Sequence, residues 1–188
     1  MPKIYLAGPD VFRPDAVEYG ERLKAACREA GWEGLYPIDN EIQEANGDVP
    51  LRIRNSNIAM IETCDAVVAN LEPFRGPSLD AGTAFEIGFA SAKGKLIVGY
   101  SKSRAVYTER VIRDCDAKRD EEGLLRDTRG WLVEEFAMPP FGSLPLVDNL
   151  MIARSLHGLT VTVEAAILRV NELNNQWFQT QVMPSLMV

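Results

Sequence analysis

The chain is poor in the residues on which much enzyme chemistry depends. A single histidine, His157, stands in 188 residues. That removes most metal sites and most histidine-based triads at once, and its place before Gly158 reads as a turn. Three cysteines, Cys27, Cys64 and Cys115, are widely spaced with no C-x-x-C pair. They read as free thiols of a reducing compartment, with Cys27 and Cys64 on apolar helical faces. No apolar run approaches the ~20 residues that cross a bilayer, so no membrane partner is expected. Met1-Pro2-Lys3 leads directly into a strand pattern rather than a signal peptide, which makes the cytoplasm the expected location. Cationic residues are in deficit, 20 Lys and Arg against 27 Asp and Glu, for a formal net charge of −7. Neutralising a phosphate backbone needs a basic patch, so nucleic acid is excluded as the main partner, whereas a small nucleoside is not. Gly8-Pro9 and Arg75-Gly76-Pro77 lack the glycine spacing of a dinucleotide fingerprint or P-loop. No cofactor and no metal are expected.

What is present is an ordinary globular core. Hydrophobic residues make up 46% and charged residues 25% of the chain, which suits a single domain. Ile4 to Gly8 is a short strand stopped by Pro9. Ala16, Tyr19, Leu23, Ala26, Cys27 and Ala30 recur at helical spacing behind a cap at or near Asp15, and Gly31 ends the run. Gly34 to Ile38 reads as a second strand, with a polar loop from Asp39 to Asp48. Pro50 then opens a helix striped by Ile53, Met60, Ile61 and Cys64. Apolar runs at 66–71 and 96–100 flank a helix over 81–93. This alternation predicts an α/β fold: a flavodoxin- or Rossmann-like three-layer sandwich around a mostly parallel sheet of about five strands. Residues 1–173 form one domain. Within it, the densely charged stretch at about 101–136 reads as an exposed helical insertion or flap. A short strand over 160–163 and a helix over 164–173 close the domain. The tail, 174–188, carries Trp177, Phe178 and Met183 and is either disordered or docked on a neighbouring subunit.

The chemistry centres on Ser78 to Ala90, where an apolar run, a Gly/Pro loop, a helix and a second apolar run make a βαβ unit. Ligands of α/β proteins sit at the C-terminal ends of such strands. Glu86 stands in the run Ala-Phe-Glu-Ile-Gly-Phe-Ala, where a carboxylate must be paired or working. Its helical neighbours Gly82, Thr83 and Ala90 are small or slim, which leaves room above it. An anionic glutamate is a competent nucleophile toward a sugar's anomeric carbon. Asp80 lies at the helix mouth, either as a cap or as a grip on a sugar hydroxyl. Tyr5, at the end of the first strand, is either a strand aromatic or a hydroxyl that orients Glu86. Asn57 falls on the inward stripe of its helix, as a structural hydrogen bond or as a ligand contact.

Lys3 to Pro9, Cys64 to Leu71, Asp80 to Gly88 and Asn149-Leu150-Met151 together, in this order and spacing, resemble the nucleoside 2-deoxyribosyltransferases. The resemblance spans roughly residues 3–170, with the charged insertion and the tail outside it. It implies transfer of a 2-deoxyribosyl group between a 2′-deoxynucleoside and a free nucleobase through a covalent deoxyribosyl-Glu86 intermediate, with slow hydrolysis when no acceptor is present. Tyr5 would hydrogen-bond Glu86, and Asp80 would hold the 5′-hydroxyl side of the sugar or assist proton transfer. Gly8 and Gly82 would belong to the substrate site, and Phe12 and the Asp39-Asn40 loop would wall the base pocket. Asn57 stands where many members carry an aspartate that contacts the base. Asn149 and Met151 would complete the site of a neighbouring subunit, making a homo-oligomer of at least two chains. The family's preference for deoxynucleosides follows from electron withdrawal by a 2′-hydroxyl, which destabilises the oxocarbenium-like state.

Three rivals share parts of this pattern. Hydrolases of 2′-deoxynucleoside 5′-monophosphates resemble the chain but carry serine where Asp80 stands. An anionic Asp80 would repel a 5′-phosphate by about 1–4 kcal/mol, which favours a free nucleoside. The lysine-decarboxylase-like phosphoribohydrolases share Gly82-Thr83-x-x-Glu86, yet Pro77-Ser78-Leu79-Asp80-Ala81 replaces their glycine-rich lead-in. A nucleoside-sensing domain without turnover would be expected to have lost Glu86 or its orienting partner.

Overall fold

The computed structural model describes residues 1–39, 48–103, 106–136 and 146–182, with side chains up to residue 175. Five parallel strands form the central sheet: β1 (Lys3–Ala7), β2 (Glu33–Leu35), β3 (Ala66–Asn70), β4 (Leu96–Tyr100) and, last in the chain, β7 (Gly158–Thr160). Their order is β2-β1-β3-β4-β7. The register sets Tyr5 beside both Leu35 and Val67, and Asn70 beside Tyr100. All five residues of β3 are buried, as expected of a strand covered on both faces. The chain leaves β1 toward β2 and then crosses back to β3 on the other side. The reversal opens a crevice beyond the carboxyl ends of β1 and β3, where folds of this order bind ligands.

Alternation along the strands sends side chains to two separate cores. On one face, Ile4, Leu6, Val68 and Val98 pack with Leu23 and Cys27 of α1 (Ala16–Glu29) and Ala166, Ile167 and Val170 of α6 (Val163–Val182). On the other, Tyr5, Val67, Ala69 and Ile97 pack with Ile61 of α2 (Val49–Thr63), Ile87 and Ala90 of α3 (Ala81–Ala92) and Ile152 of α5 (Leu150–Ser155). Cys27 and Cys64 are buried in these cores, as their helical faces predict. His157 does more than fill a turn: its backbone N–H donates to the Ile97 carbonyl and its Nδ1 accepts from the Ile97 N–H, tying β7 to the sheet edge.

Boundaries differ from the sequence expectations where backbone pairing overrides pattern. The second strand is only Glu33–Leu35, because a 3₁₀ turn over Pro37–Asp39 ends it. The last strand falls on Gly158–Thr160 rather than 160–163, and Thr162 accepts the Ala165 N–H to start α6. That helix continues to Val182, so the tail begins as helix. Met183 and the Met138-Pro139-Pro140-Phe141-Gly142 loop lie outside the described residues.

The charged stretch at 101–136 is not only a solvated flap. It folds as α4 (Tyr107–Cys115) followed by an antiparallel hairpin, β5 (Lys118–Arg119) and β6 (Leu125–Arg126). Val111, Ala117 and Leu125 form its small core. Within α4, Arg110 is 1% exposed. Charge on the outer face hid this inner stripe, which only the packing of α4 against the body brings out.

Candidate active site

A cavity of about 390 Å³ opens at the carboxyl ends of β1 and β3. Glu86 forms its floor, and Tyr5 stands behind the carboxylate from β1, donating its hydroxyl to Oε1 at 2.5 Å. Tyr5 is fully buried. Burial, with the Glu86 charge beside it, pushes the phenol well above its ordinary range, so it stays a proton donor in the hydrogen bond. Burial pushes the Glu86 carboxyl up to about 7; the Tyr5 hydrogen bond holds it down, the Asp80 charge raises it and a hydrogen bond from Asn57 lowers it again. Desolvation outweighs the donors, which leaves a carboxylate that gains and loses its proton near neutrality.

Asp80 combines both readings of its position. Its Oδ2 caps α3, accepting from the Thr83 N–H at 2.9 Å and the Thr83 hydroxyl at 3.2 Å, and the residue lines the cavity. Gly82 and Thr83 line the same side, and the absent side chain of Gly82 keeps the approach to Glu86 open. Asn57 faces the cavity from α2. Only its NH₂ can serve the carboxylate, and its Oδ1 is buried with no partner among the described residues. A buried acceptor without a donor costs free energy on the order of 1–3 kcal/mol, and a ligand N–H entering the cavity would remove that cost.

The remaining wall is apolar: Val11 and Phe12 from the turn after β1, Pro37 and Ile38 from the turn after β2, and Ile53 one helical turn before Asn57. Phe12 stacks on Phe74 at 5.5 Å between ring centres, with the Arg75 guanidinium over both rings. An apolar slot ending on an aromatic face, above a carboxylate and an amide, suits a flat heterocycle joined to a polar sugar. Among the described residues no three His, Cys, Asp or Glu side chains gather as a metal site would, and no helix is long and apolar enough to cross a membrane.

Residues 4–142 match the profile of a family described as nucleoside 2-deoxyribosyltransferase. The chain belongs to that family. A 2-deoxyribosyltransferase from Leishmania mexicana superposes with a TM-score of 0.67 and 32% identity, over 92% of this chain and 98% of that one. A 2-deoxyribosyltransferase from Bacillus psychrosaccharolyticus, 19% identical over 87% of this chain and 88% of its own, shares the fold with a TM-score of 0.55. A Schizosaccharomyces pombe protein of uncharacterised function is 36% identical over 116 residues, 59% of this chain. The chain thus spans 55% of the length of that curated relative.

Of the residues that the family resemblance marks, Gly8, Phe12, Asn57, Asp80, Gly82 and Glu86 meet at one cavity, with Tyr5 directly behind it. Asp39 does not join them: its carboxylate binds Lys24 at 2.6 Å and the Tyr36 N–H at 3.0 Å. Pro37 and Ile38 provide the wall instead, because the 3₁₀ turn rotates Asp39 back toward α1. Asn40 lies outside the described residues. Asn149 and Met151 also stand apart from this cavity. Asn149 caps α5 through the Ile152 N–H at 3.1 Å, and Met151 is 71% exposed beside it. The cavity residues that sequence reasoning missed are Val11, Pro37, Ile38, Ile53 and Thr83. The rule that loops at strand carboxyl ends hold ligands reaches the first three.

Proposed function

We propose that the protein transfers a 2-deoxyribosyl group between nucleobases. A Glu86 oxygen attacks C1′ of a 2′-deoxynucleoside, the C1′–N bond breaks with its electron pair leaving on the base, and a deoxyribosyl-glutamate forms. An acceptor base nitrogen then attacks C1′ and the ester C1′–O bond returns its pair to Glu86; water in place of the base yields free deoxyribose. The observation that carries this reading is the Tyr5–Glu86 hydrogen bond under an open cavity, with Asp80 beside it. Tyr5 orients the nucleophile. Asp80 accepts from the 5′-hydroxyl, and its charge disfavours a 5′-phosphate. Asn57 has no acidic proton to give, so it acts as an acceptor toward a base N–H, supported by its unpartnered Oδ1. Phe12 and Ile38 sandwich the base.

Asn149 and Met151 serve the site of a second copy of the chain, a reading supported by the exposure of Met151 outside the cavity. Incubation with 2′-deoxyinosine, with and without adenine, tests the activity. Transfer predicts 2′-deoxyadenosine only when adenine is present. Equal hypoxanthine release in both would make the protein a hydrolase, and no turnover of any deoxynucleoside would remove the enzymatic reading.

A further inference from the structure

The loop between β3 and α3, residues 71–80, has little regular support of its own. One internal backbone bond, from the Phe74 N–H to the Ser78 carbonyl, spans it, and Arg75 at its tip adopts a left-handed φ of 57°. Yet this loop sets where Asp80 stands. Three successive residues before Asp80 are gripped by one ion pair buried on the far side of the loop. Arg110 Nε donates to the Pro77 carbonyl at 2.6 Å. The Ser78 hydroxyl donates to Asp148 Oδ1, and the Leu79 N–H donates to Asp148 Oδ2 at 2.9 Å. Arg110 Nη2 reaches Asp148 Oδ2 at 3.4 Å and the Val147 carbonyl at 2.6 Å. Asp148 also accepts the Asn149 N–H at 2.8 Å. The two side chains are 1% and 0% exposed.

We infer that the Arg110–Asp148 pair is a positioning unit of the active site, holding Asp80 on one side and the start of α5, with Asn149, on the other. A buried ion pair is often replaceable by apolar packing without loss of stability. Apolar packing cannot present a guanidinium fork to a carbonyl and a carboxylate to an N–H and a hydroxyl in one place. That is what these two residues do, and every loop atom they hold lies within three residues of Asp80. The inference gives the insertion a role, since Arg110 comes from α4, and it rests on the proposed contact between Asp80 and the 5′-hydroxyl.

The test uses Ser78→Ala, which removes one grip without exposing a buried charge, and Arg110→Lys, which keeps the charge and loses the fork. Each is assayed with 2′-deoxyinosine and with 2′,5′-dideoxyinosine, which has no 5′-hydroxyl for Asp80. The Glu86 carboxyl is titrated separately by NMR in the substrate-free protein. Misplacing a contact group by an ångström can cost up to about a hundredfold in rate. Both variants should lose about tenfold or more in kcat/KM on 2′-deoxyinosine and less than about twofold on the dideoxy analogue. Their Glu86 titration should move down as the Asp80 charge withdraws. Equal losses on both nucleosides with an unmoved Glu86 titration would overturn the positioning role. A wild-type protein that treats the two nucleosides alike would overturn the 5′-hydroxyl role of Asp80 instead; the substrate-free titration would still decide whether the pair places Asp80.

Discussion

Tyr5 and Glu86, 81 residues apart in the chain, meet through a 2.5 Å hydrogen bond between strand β1 of the central sheet and helix α3 packed on it. The contact joins a phenol that burial keeps protonated to a carboxyl that burial pushes up to about 7. The proposed nucleophile must be ionised to react, so this single pair would tie reactivity to pH.

The acid limb of kcat/KM should therefore fall near pH 7, with activity rising as Glu86 loses its proton. Tyr5→Phe removes a donor that holds the carboxyl down and should move the limb to higher pH. Asp80→Asn removes a like charge that pushes it up and should move the limb to lower pH. Both variants lose activity, but the opposite displacements of their profiles distinguish the two roles. Displacements in the same direction would contradict the assigned electrostatics.

Stability should carry the same signature. The folded protein binds a proton on Glu86 up to about pH 7, whereas the unfolded chain releases it near the ordinary glutamate value of 4.5. A raised carboxyl means that the native state holds more protons across this window, so stability falls as pH rises from about 4.5 to about 7. The span corresponds to about 3 kcal/mol at most. Denaturant titrations of wild type and Glu86→Gln at pH 5 and pH 7.5 should show the decline from this group in the wild type only, alongside lost turnover in the variant.

At Asp80, capping and ligand binding separate by substitution. Asp80→Ala removes the acceptor for the Thr83 N–H and should cost about 1 kcal/mol in thermal or denaturant unfolding. Asp80→Asn keeps a capping oxygen and should stay close to wild type in stability while losing turnover.

Gly8 is required for space rather than for an unusual backbone angle. A Cβ there would stand 2.8 Å from Asn70 Cβ and 2.9 Å from Asp10 Oδ2, and Asn70 Nδ2 donates to that same Asp10 oxygen at 2.8 Å. Gly8→Ala must push these two apart, with an expected loss of about 1–3 kcal/mol and a raised KM for the base, since the turn carries Val11 and Phe12. A variant of unchanged stability and KM would show that the turn adjusts freely.

Much of this molecule is legible in its residues. The alternation of buried β runs with helical stripes sets a parallel α/β sheet. The isolated carboxylate of Glu86 among small neighbours marks the candidate nucleophile, and the helix-mouth position of Asp80 yields both its cap and its place at the cavity. These features are local, and periodicity and residue chemistry report local features. Asp39 shows where that reach stops: its neighbours suit a pocket wall, but a 3₁₀ turn and Lys24 direct its carboxylate elsewhere. Arg110 shows it more sharply. One arginine among the mixed charges of 101–136 has no local mark that separates it from its exposed neighbours. Its burial follows from where α4 docks, and its partners Pro77, Val147 and Asp148 come together only through the tertiary fold. Residue order and chemistry alone were enough to set the α/β layers and to mark the candidate groups Tyr5, Asp80 and Glu86. The long-range polar contacts that hold these groups in place came only from the folded arrangement, because they depend on desolvation and distance between segments that sequence spacing does not encode.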